Sequence, residues 1–229
     1  FEEQVVRVPY QAHLPTGAHV VTADAYLGYD PFTYVDVSFF GEDDTRSNLV
    51  RVISDKLTKI INVPNMKDHS ASGVTGCLKN IAYGSFGNVA RSHAYADTHT
   101  LSFIGTLASV EPLRSRTVLH IMDGLKGVWH AGPFSPDRRF RFYPAKLMFG
   151  TDPVAMDRIL LEIIETKRAA EKAISVWNRS EASLKAGREF SSDPNLNRFR
   201  REPGHIEFAS KLGLGVYERA KIDLREIRL

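Results

Sequence analysis

The chain has 229 residues, enough for one substantial hydrophobic core. Its apolar share of 43% and charged share of 25% are ordinary for a globular domain, and no apolar run nears the roughly 20 residues of a membrane-spanning helix. A formal charge of +3 gives no basis for a nucleic-acid or membrane partner, and a single cysteine, Cys77, excludes an intrachain disulfide framework, a multi-cysteine zinc site and a self-contained iron–sulfur cluster.

In chain order, residues 4–8 and 18–23 read as short strands, 24–46 as a loop rich in Asp, Gly, Tyr and Phe, and 48–53 as a strand. Residues 59–63 form the clearest buried strand, β-branched and bounded by Pro64. A polar loop follows, then helices over 74–83 and 97–110, the second ending before Pro112. Strands are expected at 117–122, ending at Asp123-Gly124, and at 146–149, ending at Gly150. The strongest helix runs from Asp152 to about residue 173, with Pro153 at its first position. Residues 176–204 read as a surface insertion, 205–212 as a short helix stopped by Gly213 and Gly215, and 222–229 as a final strand. Strands alternating with helices predict a single α/β domain over 1–229: a layered, Rossmann-like fold with a mostly parallel sheet flanked by helices. The chain begins Phe1-Glu-Glu-Gln without Met, which reads as a processed chain or one lacking an N-terminal portion.

In such folds ligands sit beyond the carboxyl ends of the strands. Three predicted strands empty into polar groups there: 59–63 into the loop carrying Lys67, His69, Ser70, Ser72 and Gly73, 117–122 into Asp123, and 146–149 into Gly150 and Asp152. On the 74–83 helix, Val74, Cys77, Leu78 and Ile81 form a core stripe, while Gly76, Lys79, Asn80 and Tyr83 share another face. Ser70 or Ser72 fits as its N-cap, and the free amides there favour an anion. Asp157 lies on the same side of its helix as Leu160, Leu161 and Ile164, so it needs a partner. A lysine, a metal or the backbone amides of a nearby loop would serve. Asp123 serves equally as a functional acid or a turn cap.

Of the eight histidines, His69 has the best neighbours. His93 and His99 flank a loop-to-helix junction, and His120 reads as a satisfied core residue. No HExxH, GxSxG or P-loop spacing occurs. Arg138-Arg-Phe-Arg-Phe-Tyr143 and Arg198-Phe-Arg-Arg201 interleave arginine with aromatic residues, and nearby acids favour solvated loops or subunit contacts over nucleic acid.

Taken together, Asn62-Val-Pro-Asn-Met-Lys-Asp-His-Ser70, Gly73-Val-Thr-Gly-Cys-Leu-Lys-Asn80, Met122-Asp-Gly124, Gly132-Pro133 and Gly150-Thr-Asp-Pro-Val-Ala-Met-Asp157 resemble, in that order, the prokaryotic domain of unknown function 362 family. The likeness spans roughly residues 57–160, and more weakly 205–225. It implies an uncharacterised bacterial protein of a family in which many members are exported and some carry an iron–sulfur segment. This chain has no cysteine cluster for the latter.

Two functions fit. One is a domain that binds a small anionic ligand, with or without a divalent metal. There Lys67, His69 and Lys79 hold the anion or move a proton, and Asn80, Ser70, Ser72, Gly73 and Gly150 line the site. Asp123, Asp152 and Asp157 bind metal or tune the lysines. The other is a non-catalytic structural subunit that pairs with a protein partner or with copies of itself. Hydrolysis, isomerisation and redox chemistry stay open.

Overall fold

Short strands alternating with helices fold into an α/β structure, represented by a computed structural model that describes residues 28–133, 135, 137–185 and 192–228. The strands expected at 4–8 and 18–23 lie outside these residues. The first described element, β1 (Tyr29–Asp36), falls inside the stretch that reads as loop and pairs antiparallel with β2 (Arg46–Val50). Phe32-Thr-Tyr-Val35 supply the aromatic and β-branched residues that favour a pleated surface, and they outweigh the Asp and Gly residues around them. The expected strand at 48–53 is split: β2 ends at Val50 and α1 (Arg51–Asp55) buries Val52 and Ile53.

A second, mixed sheet of six strands is the centre of the fold. Its members are β3 (Ile60–Asn62), β4 (Asn65–His69), β5 (Gly73–Thr75), β6 (Thr117–Val128), β7 (Arg141–Phe142) and β8 (Lys146–Gly150). β3 and β4 both run parallel to β6, with Asn62 opposite His120 and Asn65 opposite Asp123. They behave as one strand broken at Pro64, which has no N–H to give the ladder but accepts from Asp123 N at 2.8 Å. β5 turns back antiparallel on β4, and β7 and β8 pair antiparallel along β6. β6 does not stop at Met122 as expected; it continues through Asp123-Gly124 to Val128. Gly124 marks close packing rather than a turn, since a Cβ there would meet the Met66 sulfur at 2.5 Å.

The helices are α2 (Cys77–Ser85), α3 (Thr100–Ala108), α4 (Leu113–Arg116), α5 (Pro153–Ala170) and α6 (His205–Lys211). Leu78, Ile104, Leu107, Leu160, Ile164 and Ile206 meet Met66 and Met122 of the sheet in one core. On the sheet, Met122 and Asn62 are buried, whereas Ile61, Leu147 and Phe149 at alternating positions are exposed, Phe149 to 64%. Residues 222–228 form no strand; they are mostly exposed, and Glu226 makes an ion pair with Lys146 at the start of β8 instead of a backbone ladder. The described part of 176–204 contributes buried groups as well as surface: Val176, Asn197 and Arg201 are enclosed, and Asn197 Nδ2 donates to Ser70 O at 2.7 Å. Arg201 is therefore not the solvated residue its arginine–aromatic run suggests. Among the described residues, no helix is long and apolar enough to cross a membrane.

Candidate functional site

The stretch that reads as a polar loop after residue 63 is largely strand β4, and its polar side chains are held rather than solvated. Lys67 and His69, two apart, share one face of the strand, and Asp68 takes the other. Backbone N–H groups of Ala71 and Ser72 donate to His69 Nδ1 at 3.1 and 3.3 Å, so a neutral His69 carries its proton on Nε2. Gly73, at φ +80°, turns the chain into β5, and a Cβ there would strike Pro203 at 2.9 Å. The two loop serines do structural work. Ser70 Oγ donates to Gly132 O at 2.9 Å, and Ser72 Oγ to Val74 O at 2.8 Å.

Helix α2 carries Lys79, which is buried close enough to Lys67 and His69 for their charges to act on one another. Lys79 Nζ lies 4.1 Å from the ring centroid of Tyr83, one turn on. Tyr83 Oη is 2.6 Å from Ser92 Oγ, in the short turn Ala90–His93. That turn sets the His93 ring 5.6 Å from His69 and 6.0 Å from Tyr83, with Phe199 at 6.1 Å beyond it. His205, at the start of α6, is fully buried; its Nδ1 is 3.0 Å from Glu202 O, and its Nε2 has no hydrogen-bond partner among the described residues.

The electrostatics of this cluster are one-sided. Lys79 is only 5% exposed, and among the described residues neither it nor Lys67 has a carboxylate within ion-pair distance. Burial, then the charge of Lys67, brings the Lys79 ammonium down to about 7, and burial lowers Lys67 too. Burial first and Lys79 second hold His69 well below the ordinary imidazole range and His93 down to about 4. His205 is also held to about 4, chiefly by burial. Near neutral pH the cluster is thus a set of uncharged imidazoles around a lysine that gains and loses its proton readily.

The other expected site residues stand elsewhere. Asp157 reaches from α5 to the first turn of α2, accepting from Cys77 N at 2.5 Å and Leu78 N at 3.0 Å. The amides expected to attract a ligand are thereby filled from within the chain, and it is Asp157 rather than Ser70 or Ser72 that satisfies them. Gly76 is required there, because a Cβ would fall 2.0 Å from Asp157 Oδ1. Burial pushes the Asp157 carboxyl up to about 7. Asn80 Nδ2 donates to Asn62 Oδ1 at 2.7 Å, and Asn62 Nδ2 is 2.9 Å from both Cys77 O and His120 Nδ1. Asp152 accepts from Ala155 N and Val216 N, both at 2.8 Å. Asp123 accepts from Leu125 N at 2.8 Å, and Gly150 ends β8 opposite His120. Lys67, His69 and Lys79 come together; Asp123, Asn80, Gly150, Asp152 and Asp157 are engaged in other parts of the scaffold. Among the described residues no group of three or more His, Cys, Asp or Glu is placed to hold a metal ion.

A cavity of about 170 Å³ lies elsewhere, lined by Leu78, Ile81, His120, Thr151 and Pro153 among others, and Lys79 takes no part in it. Its buried titratable group, His120, is already bonded to Asn62. Tyr83, His93, Phe199 and His205 complete the lysine cluster, with Arg201 beside it; the sequence places Tyr83 on the Lys79 face but assigns none of the five to the site. Tyr83 had a signal, four residues from Lys79 on one helix face; the rest arrive through tertiary packing.

A family model described as "Domain of unknown function (DUF362)" matches residues 17–162, more than half of the chain. The chain belongs to this family. The DUF362 match begins well before residue 57, where the likeness becomes visible by eye, and it contains Lys67, His69, Lys79, Tyr83 and His93. Phe199, Arg201 and His205 lie beyond its end, so this DUF362 chain completes the cluster with residues outside the matched stretch. No curated protein and no solved structure matches the chain.

Proposed function

We propose that this chain binds a small anion of the carboxylate or phosphate type at the cluster of Lys67, His69, Lys79, His93 and His205. The observation that carries this reading is an uncompensated charge. Lys79 is buried, acts electrostatically on another cation and three imidazoles, and has no carboxylate beside it among the described residues. Enclosing an ammonium without a counter-charge costs several kcal/mol, ~3 or more after relaxation, and an exogenous anion removes that cost. His69, with its proton on Nε2, and Lys79 would each have a donor to offer such a ligand. A lysine brought down to about 7 also exchanges a proton at neutral pH, so the site suits acid–base chemistry on what it binds.

The test is a thermal-shift and calorimetric titration of wild type and Lys79→Met with sulfate, phosphate and acetate. Wild type should be stabilised by at least one of them. Lys79→Met should lose the response while its unliganded form is at least as stable, since an apolar chain of similar length replaces an unpaired buried charge. No response in wild type, with Lys79→Met clearly destabilised, would instead support the reading in which these residues form the internal network of a structural subunit.

A further inference from the structure

Two arginines are buried beside the cluster, and they differ in one respect. Both face the same carboxylate, Asp68: Arg201 Nη1 is hydrogen-bonded to Asp68 Oδ1, and Arg168 Nη1 stands 3.7 Å from it. Arg168 is otherwise saturated. Its Nε donates to Ile174 O at 2.6 Å, Nη1 to Trp129 O at 3.1 Å and Nη2 to Pro194 O at 2.9 Å. Arg201 is 1% exposed, yet its Nε and Nη2 have no acceptor among the described residues. In a guanidinium these two N–H groups lie along one edge, the edge that meets both oxygens of a carboxylate or phosphoryl group. Leaving it empty in the interior costs the desolvation of two charged donors, and one carboxylate does not neutralise two guanidinium groups. Arg201 is set beside the lysine cluster by its chain neighbours: Phe199, two residues before it, stands 6.1 Å from the His93 ring, and Glu202 N, the next residue on, donates at 2.8 Å to the carbonyl of Ala71, whose own N–H bonds His69 Nδ1.

We propose that Arg201 is the specificity-determining clamp of this site, gripping the ligand through its Nε–Nη2 edge, so that the ligand presents two oxygens of one carboxylate, sulfate or phosphoryl group rather than a single-atom anion. This rests on the anion-binding reading above and adds the geometry of the anion. Asp68 holds the guanidinium by its remaining nitrogen, and its Oδ2 accepts from Gly132 N at 3.3 Å. Gly132 permits that approach, since a Cβ there would fall 1.8 Å from Asp68 O.

Arg201→Lys separates fork from charge, because lysine keeps the positive charge and reaches Asp68 but has no planar edge. Sulfate and bromide are titrated into wild type and variant, and the side-chain Nε–H resonance of Arg201 is followed by nitrogen-15 NMR in wild type. The expected result is sulfate binding weakened roughly tenfold or more in Arg201→Lys, bromide binding unchanged, and an Nε–H resonance in wild type that shifts with sulfate but not with bromide. Equal sulfate affinity in the two proteins overturns the clamp, as does an unmoved resonance in sulfate-saturated wild type, and the second readout decides the matter if the variant does not fold. A wild type that binds neither anion overturns the anion site itself, and the clamp with it.

Discussion

At the scale of single residues, the proposed anion site makes Lys79 the group through which binding would respond to pH. Its ammonium is held to about 7 by burial and by Lys67, against an ordinary 10.5. A bound anion places negative charge beside it and raises that value again, so binding above pH 7 draws a proton from solution. Affinity must then fall as pH rises past 7, by up to about tenfold per unit for one coupled proton. Sulfate is the suitable probe because it does not titrate in this range. We expect its dissociation constant to rise between pH 7 and 9 in wild type, and the slope to flatten in Lys79→Met. Equal affinity at pH 6.5 and pH 8.5 would show that Lys79 is not the group the anion contacts. In the sequence Lys79 stands out because it shares a helix face with Gly76 and Asn80, next to the stretch that carries Lys67 and His69. Arg201 does not, because nothing in a run of arginines distinguishes the one that turns inward.

At the scale of elements, the start of α2 holds the most consequential arrangement. The sequence shows an acid on an apolar face at Asp157, and burial demands a partner for it. That partner is the backbone of α2, whose first amides at Cys77 and Leu78 would otherwise be buried without acceptors. α5 and α2 are thus joined by a carboxylate capping a helix that is not its own. Asp157→Ala should lower stability by about 2–4 kcal/mol, the sum of a lost cap and stranded amides, measured by urea unfolding. A loss below about 0.5 kcal/mol would mean the amides find other acceptors. The elements themselves were legible where local pattern and packing agree, as in α5, where Asp152 and Pro153 open the helix and Leu160, Leu161 and Ile164 bury its face. They were misread where tertiary contacts override pattern. β4 carries Asn65, Lys67, Asp68 and His69 and looks like a loop, yet its neighbour β6 and the buried arginines hold it as strand. The alternation over 222–229 reads as strand, but its described part, 222–228, pairs with no strand among the described residues.

At the scale of the whole molecule, the buried histidines make stability a function of pH. His69 is held well below the imidazole range, and His93, His120 and His205 lie at about 4, in each case mainly because burial disfavours the charged ring. Their unfolded values are near 6.5, so between about pH 6.5 and 4 the unfolded chain binds more protons than the folded one. This contribution is fully present above 6.5 and is lost as pH falls toward 4. Asp157 acts in the opposite sense. Raised to about 7, it favours the fold at low pH and loses that contribution as pH rises through 7. Four imidazoles against one carboxyl leave a net uptake of protons on unfolding near pH 5, so stability falls on acidification there. The melting temperature should therefore drop from pH 7 to pH 5. Sulfate ties this to the proposed site, because an anion beside Lys79 and His93 favours their protonated forms. Its stabilising effect should be larger at pH 5.5 than at pH 8, and His93→Gln should shrink that difference. Melting curves recorded in sulfate and in bromide across this range provide the check, and a melting temperature that holds level or climbs on acidification would mean that these rings are not buried as neutral groups.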